Sequence, residues 1–298
     1  MKNKNLDSPS GCGTALVTPF DGQQALDWPA FKRLVNRQVE CGIDFLVPCG
    51  TTGETPSLSL DEYREVIQTC VRVADGRVPV VAGAGSNATA HAIELGNIAI
   101  TAGADALLSV GPYYNKPSQE GLFQHFAEIA ASASVPVIVY NVPGRTGNNI
   151  QADTLLRLAN VEGIVAVKEA SGNLAQIMQI LRHRPEGFKV LSGDDNLALA
   201  TMALGGDGLI SVAANEIPVE MTSIIKLARA GRMAEARLVH YKYLHLMNLN
   251  FIESSPIPVK YALSRMGFIE ESYRLPLCRM QSASRRQIDT ELAELGLL

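Results

Sequence analysis

A lysine closes an apolar run. In Gly163-Ile164-Val165-Ala166-Val167-Lys168-Glu169-Ala170-Ser171-Gly172, β-branched residues lead directly to an amine, which is the pattern of a strand buried on both faces and ending in a charge. Alternation along such a strand puts Ile164, Ala166 and Lys168 on one face and Val165 and Val167 on the other, with the small Ala166 leaving room beneath the amine. Apolar surroundings disfavour an ammonium relative to the free amine, so burial would lower the pKa of Lys168 and raise the fraction able to attack a carbonyl carbon. The chemistry this points to is Schiff-base formation. The competing reading is a strand-end lysine that snorkels to water or pairs with Glu169.

Carbinolamine formation and dehydration require proton transfers, which a tyrosine can perform. Tyr140 ends the preceding apolar run, Pro136 to Tyr140. Its competing role is amphipathic packing with a wet hydroxyl, and only its conjunction with Lys168 raises it. Thr51 and Thr52, followed by Gly53, can offer hydroxyls and backbone N–H groups to a carboxylate, or form an ordinary turn into a helix.

Other constellations carry less. Val80-Val81-Ala82-Gly83-Ala84-Gly85-Ser86-Asn87-Ala88 fits a dinucleotide pattern between strand and helix. The acid of that fingerprint belongs at the carboxyl end of the next strand, whereas Asp105 precedes the run Ala106-Leu107-Leu108, so nicotinamide binding is rejected. Asp194 and Asp195 stand before a helical segment, where aspartate caps orphan N–H groups. Lys260, in Pro256-Ile257-Pro258-Val259-Lys260, is a second conceivable imine lysine but falls in a C-terminal helical region and is read as structural. The five scattered histidines form no ligand pattern. No metal or organic cofactor is expected.

These residues need elements to position them. Gly13 to Phe20 is a strand closed by proline, and Asp27 caps a helix from Trp28 to about Cys41. The β-then-α unit recurs with strands Asp44 to Pro48, Val78 to Ala82, Asp105 to Ser109, Pro136 to Tyr140, Ile164 to Lys168, Phe188 to Leu191 and Gly208 to Val212. The helices that follow begin at Leu60, about Ala88, Ser118, about Ala152, about Asn173, Asp195 and about Pro218. Eight such units predict an α/β fold of the (β/α)8 TIM barrel type over residues 1–230, with a C-terminal α-helical appendage over 231–298. In such barrels chemistry sits at the carboxyl ends of the strands, which is where Thr51, Tyr140 and Lys168 fall.

The chain has 298 residues, 47% of them hydrophobic and 19% charged, enough apolar surface for a large core. A net charge of −4 with no Lys/Arg block argues against nucleic acid or an anionic membrane surface as partner. The polar stretch Met1 to Gly11 lacks the apolar centre of a signal peptide, no run spans a bilayer, and five cysteines show no Cys-x-x-Cys pair. A cytoplasmic enzyme with small-molecule substrates is expected.

Taken together, Gly50-Thr51-Thr52-Gly53-Glu54, Gly111-Pro112-Tyr113-Tyr114-Asn115-Lys116-Pro117-Ser118, Tyr140-Asn141-Val142-Pro143-Gly144-Arg145-Thr146, Val167-Lys168-Glu169-Ala170-Ser171-Gly172-Asn173 and Leu191-Ser192-Gly193-Asp194-Asp195 closely resemble the dihydrodipicolinate synthase (4-hydroxy-tetrahydrodipicolinate synthase) family. The resemblance implies that Lys168 forms an imine with pyruvate, whose enamine adds to aspartate semialdehyde, a step of the diaminopimelate route to lysine. It also implies that Tyr140 shuttles protons, linked through Thr51 to Tyr114 from a neighbouring subunit. Thr52 and the Ile210 region would hold pyruvate, Gly193 would line the site by its backbone, and Arg145 would take the semialdehyde carboxylate, which its forked donors suit. A homotetramer built of two dimers is implied as well. Feedback control by lysine is a weaker implication. Asn87 and Tyr113 match the regulatory pocket, but His91 replaces an acid, and Leu60 and Pro56 also depart.

The nearest rival is another pyruvate-dependent aldolase of the same superfamily, such as an N-acetylneuraminate lyase or a keto-sugar-acid aldolase; Arg145 and the Thr51-Thr52 pair speak against it. A catalytically silent keto-acid-binding oligomer is the alternative from a different class.

Overall fold

The computed structural model describes residues 9–298, so most of the polar stretch Met1 to Gly11 lies outside the described residues. Eight parallel strands, β1 Gly11–Ala15, β2 Phe45–Val47, β3 Val81–Gly83, β4 Ala106–Val110, β5 Val137–Asn141, β6 Ile164–Glu169, β7 Lys189–Ser192 and β8 Gly208–Ser211, form one sheet in the order 2-1-8-7-6-5-4-3. The ring closes where Leu46 of β2 bridges Val80 just before β3. The helices in chain order are α1 Trp28–Glu40, α2 Leu60–Ala74, α3 Thr89–Thr101, α4 Gln119–Ser132, the short α5 Pro143–Thr146, α6 Ala152–Leu158, α7 Leu174–His183, α8 Ala198–Ala203 and α9 Pro218–Arg229. Three further helices, α10 Met233–Leu249, α11 Ile257–Arg265 and α12 Ser282–Glu294, complete the chain. The (β/α)8 barrel expected from the repeating pattern is the fold.

Four of the helices, α1, α2, α4 and α7, start at a residue whose side chain caps them. The Asp27 carboxylate accepts from the N–H of Ala30 at 3.0 Å, and Ser59 and Glu62 form a reciprocal capping box at the head of α2. The Ser118 hydroxyl accepts from the N–H of Gly121 at the head of α4, and the Asn173 side chain from those of Ala175 and Gln176 at the head of α7. Asp105, which precedes β4, accepts the N–H of Val80 at 2.8 Å, and Asp44 and Asp207 do the same for Cys12 and Val190 at the starts of β1 and β7. These aspartates satisfy orphan donors at the amino-terminal rim of the barrel, the end that carries stability rather than chemistry. Asp105 therefore has a local structural task, consistent with its rejection as a ribose ligand.

Two apolar layers hold the barrel. Between strands and helices lies a large cluster that includes Leu46, Val80, Leu107, Val137, Val139, Val167 and Val190, into which Tyr243, Leu246 and Met247 of α10 also pack. Inside the ring, Phe45, Val47, Val81, Leu108, Ile138, Ala166, Leu191 and Ile210 fill the centre. Phe45 enters because Gly13 has no side chain: a Cβ there would sit 2.1 Å from its ring.

The strand that carries Lys168 departs from simple alternation. Val137 pairs with Ile164, but the next residue, Ile138, pairs with Ala166, so Val165 is an extra residue in β6. The bulge turns Ile164 outward into the helix-facing layer with Val167, while Val165 packs toward the barrel interior with Ala166. The expectation that Ile164 shares a face with Lys168 is corrected accordingly. Ala166 and Lys168 do share the inner face, because regular pairing resumes after the bulge.

Candidate active site

Tyr140 and Lys168 are direct cross-strand partners of β5 and β6, and Leu191 of β7 faces Lys168 from the other side. The register places both side chains at the carboxyl rim, where the Lys168 Nζ lies 4.3 Å from the centroid of the Tyr140 ring. Lys168 is 5% and Tyr140 7% exposed. Burial pulls the Lys168 pKa down to about 8, against a smaller upward pull from Asp194 and Asp195. Burial likewise pushes the Tyr140 hydroxyl up to about 12, with Arg145 and the Thr51 hydroxyl opposing the rise. At neutral pH the phenol is therefore protonated, and a larger share of Lys168 is free amine than in an exposed lysine.

The two side chains open into a cavity of about 530 Å³, within the range of small-molecule sites. Its wall includes Thr51, Thr52, Tyr113, Arg145, Gly193 and Asp194. Thr51 and Thr52 sit on a 3-10 turn, Thr51–Gly53, held by the Thr18 hydroxyl donating to the carbonyl of Gly53 at 2.8 Å. Arg145 is carried by α5 and donates to the carbonyl of Ser255 at 3.3 Å. Among the described residues no carboxylate lies within ion-pair distance of Arg145, so its charge faces the cavity unpaired by protein.

Glu169 does not pair with Lys168. Its carboxylate turns to the other side of the strand, accepting from Asn141 at 3.0 and 3.1 Å, from Gln176 at 3.0 Å and from the N–H of Ser171 at 2.7 Å. This buried set locks the end of β6 from behind. Gly193 locks it from the side, since a Cβ there would lie 3.1 Å from Cε and 3.2 Å from Cγ of Lys168 and 2.6 Å from Cβ of Ala170. Gly193→Ala is therefore expected to push the lysine stem off its place and lower kcat by about 10²-fold, with the melting temperature falling modestly. An unchanged kcat would show that the stem has room to spare.

The two aspartates after β7 behave differently from the expected local caps. Asp195 does cap backbone N–H groups, but those of Val212 and Ala213 beyond β8, at 3.1 and 2.9 Å, and it also binds the Ser211 hydroxyl. Asp194 makes no side-chain capping bond; it lines the cavity, where burial first and foremost raises its carboxyl to about 6. The N–H groups needing a partner lie across the sheet rather than on the helix that follows.

Not every expected residue meets the cavity. Ile210 is fully buried in the inner barrel layer, and Val212, two residues on, supplies the lining at that strand end. Tyr114 is 89% exposed, with a left-handed backbone (φ 72°), and stands outside the lining. Asn87 is also outside it and accepts from the Asn115 amide through its carbonyl, whereas Tyr113, His91, Leu60 and Pro56 line an arm of the cavity. Several wall residues were not assigned to the site from the sequence: Phe251, Ser255, Pro256 and the segment Arg274 to Leu277 come from the C-terminal region. The only available signal was Ser255-Pro256-Ile257-Pro258, whose two prolines fix a turn without saying where it docks.

Among the described residues, no group of three or more His, Cys, Asp or Glu side chains is placed to hold a metal ion, and no helix is long and apolar enough to cross a membrane. The geometry is that of a buried amine, a protonated phenol, two hydroxyls and a guanidinium around one cavity, an arrangement suited to covalent chemistry on an anionic carbonyl compound.

Comparison with known proteins agrees in order and extent. The model described as the Dihydrodipicolinate synthetase family matches residues 8–295. A 4-hydroxy-tetrahydrodipicolinate synthase of Pelodictyon phaeoclathratiforme is 53% identical over 97% of this chain and 98% of its own length, and that of Chloroherpeton thalassium is 54% identical over 97% and 96%. The crystal structure of the chloride-inhibited dihydrodipicolinate synthase of Acinetobacter baumannii complexed with pyruvate superimposes with a TM-score of 0.95 at 42% identity, covering 97% of this chain and 99% of that one. With a matched family model running almost end to end, and relatives above half identity over nearly their full length, the chain belongs to the dihydrodipicolinate synthetase family.

Proposed function

We propose that this protein is a Schiff-base-forming lyase that condenses pyruvate with L-aspartate 4-semialdehyde to 4-hydroxy-tetrahydrodipicolinate. The observation that carries the proposal is Lys168, a buried amine at the base of the cavity and in register with Tyr140. In this reading the free amine adds to C2 of pyruvate, and the carbinolamine loses its hydroxyl as water after proton transfer through Tyr140. The iminium then loses a methyl proton to give the enamine. The enamine carbon attacks the aldehyde, and the amino group of the second substrate closes the ring at C2, releasing Lys168. Arg145 takes the carboxylate of the semialdehyde, Thr52 that of pyruvate, and Gly193 lines the site with its backbone. The unpaired guanidinium in the wall supports this choice over a sugar-acid aldolase, which would need neutral hydroxyl recognition there.

A homotetramer of two dimers belongs to the same proposal. Its support is Tyr114, almost wholly exposed and held in a left-handed backbone, as a side chain destined for a second copy's Thr51 and Tyr140 would be. A cytoplasmic location is supported by five unpaired cysteines, of which Cys12, Cys49 and Cys70 are buried. A regulatory role of Asn87 and Tyr113 toward lysine finds Tyr113 in the cavity lining, Asn87 outside it and, at position 91, a histidine bonded to Glu94.

Borohydride reduction in the presence of pyruvate tests the reading. A mass gain is expected on the peptide carrying Lys168 and none in Lys168→Ala; a label on another lysine would move the chemistry elsewhere. A coupled assay with pyruvate and aspartate semialdehyde, run beside the sugar-acid substrates, settles the second substrate. Turnover of the sugar acids alone would overturn the assignment.

A further inference from the structure

The turn that presents Thr51 and Thr52 is followed by a residue in contact with the C-terminal region of the chain. Thr51–Gly53 is one 3-10 turn and Thr55–Ser57 another, and between them Glu54 adopts the left-handed region at φ 52°. A non-glycine residue is held there only when its surroundings insist. Its side chain is turned inward at 1% exposure, with Oε1 2.5 Å from Nζ of Lys260, itself 0% exposed. Lys260 belongs to α11, 206 residues further along. The ammonium also lies 4.4 Å from the ring centroid of Phe20 and 5.3 Å from that of Tyr273. Arg274 adds a second tie from the same region, donating to the carbonyl of Ser57 at 2.9 Å and to both carboxylate oxygens of Glu62 at 2.7 and 2.6 Å.

Burying an ion pair is a poor way to gain stability, because desolvation consumes most of the attraction, and apolar residues of similar volume often serve as well. What the pair supplies that apolar packing does not is a single geometry. Both partners are directional, and moving the turn would strand two charges away from water. Glu54 also lies in the cavity wall, two residues after Thr52.

We propose that Lys260 and Glu54 are positioning residues for the Thr51–Thr52 turn, through which the C-terminal helices set the rate at which Lys168 forms its imine. The inference rests on the reading of Lys168 as the imine lysine, and its test keeps the two apart. The time course of borohydride trapping at saturating pyruvate gives a rate and a final amplitude, measured in the unaltered full chain, in the double variant E54M/K260M and in E54Q. The double variant replaces the pair by apolar groups of similar volume, so its melting temperature is expected to hold. Its trapping rate is expected to fall about 10- to 100-fold at an undiminished amplitude, the loss that small misplacement of a catalytic group produces. A rate within twofold of the unaltered protein overturns the proposal and leaves the pair a packing feature. If the double variant does not fold, E54Q, which keeps the shape and removes the charge, decides by the same criterion. Absence of any adduct in the unaltered protein removes the Lys168 reading, and this proposal with it.

Discussion

Lys168→Met is expected to lower turnover by about 10⁴-fold or more while making the protein more stable. Methionine keeps most of the stem's volume and removes the nitrogen, so no imine is formed and only weak non-covalent catalysis remains. The stability gain follows from the burial that activates the amine. Lys168 titrates at about 8 in the folded chain against 10.5 for an ordinary lysine, so the unfolded state holds its proton more tightly. Between those two values the unfolded chain binds more protons, and wild-type stability rises with pH; below about 8 the penalty is present in full. The methionine variant should thus exceed the parent by up to about 3 kcal/mol near pH 7, and the gap should close as pH climbs above 8. Chemical denaturation at a series of pH values measures this directly. A gap that does not change with pH would mean that the amine is not held in an apolar setting. The same titration predicts a rate of imine formation that rises about tenfold per pH unit on the acid side of 8 and then levels off.

Tyr140→Phe should retain the fold and lose about 10²- to 10⁴-fold in kcat, the range for a positioned proton donor and acceptor. The ring contact with Lys168 and the packing in the inner layer survive the change, since only the hydroxyl is removed. The pyruvate adduct should still be trapped at Lys168, but slowly, because dehydration of the carbinolamine must borrow its proton from water. Steady-state kinetics and a trapping time course together give the answer; kinetics within twofold of the parent would remove the phenol from the proton path.

The parts of the site legible in the sequence were those whose signal is local. Lys168 and Tyr140 each terminate an apolar run, and a closed ring of such runs brings strand ends to one rim whatever the details of pairing. Asp27, Ser118 and Asn173 announced their helices because capping works over two or three residues. What was hidden is set by contacts far apart in the chain. The extra residue at Val165 answers the stagger between β5 and β6, which no single strand encodes, so Ile164 was placed on the wrong face. Asp195 looked like a cap for its own segment and instead binds N–H groups 17 and 18 residues away. Phe251 and Arg274 to Leu277 form cavity wall only because the segments after α10 and α11 reach the barrel mouth, and neither segment carries a pattern that says so.

The dependence of the Thr51–Thr52 turn on Lys260 has a consequence for the protein's own synthesis. When β8 has left the ribosome, every strand of the ring exists, yet the partner of Glu54 has not been translated. A nascent chain at that stage lacks part of the wall of the carboxyl rim, and the buried carboxylate of Glu54 has no counter-ion. At ordinary elongation rates the remaining stretch takes on the order of ten seconds to appear. On the proposal above, full speed of imine formation arrives only when α11 docks, and a product terminated before Lys260 would form the imine slowly.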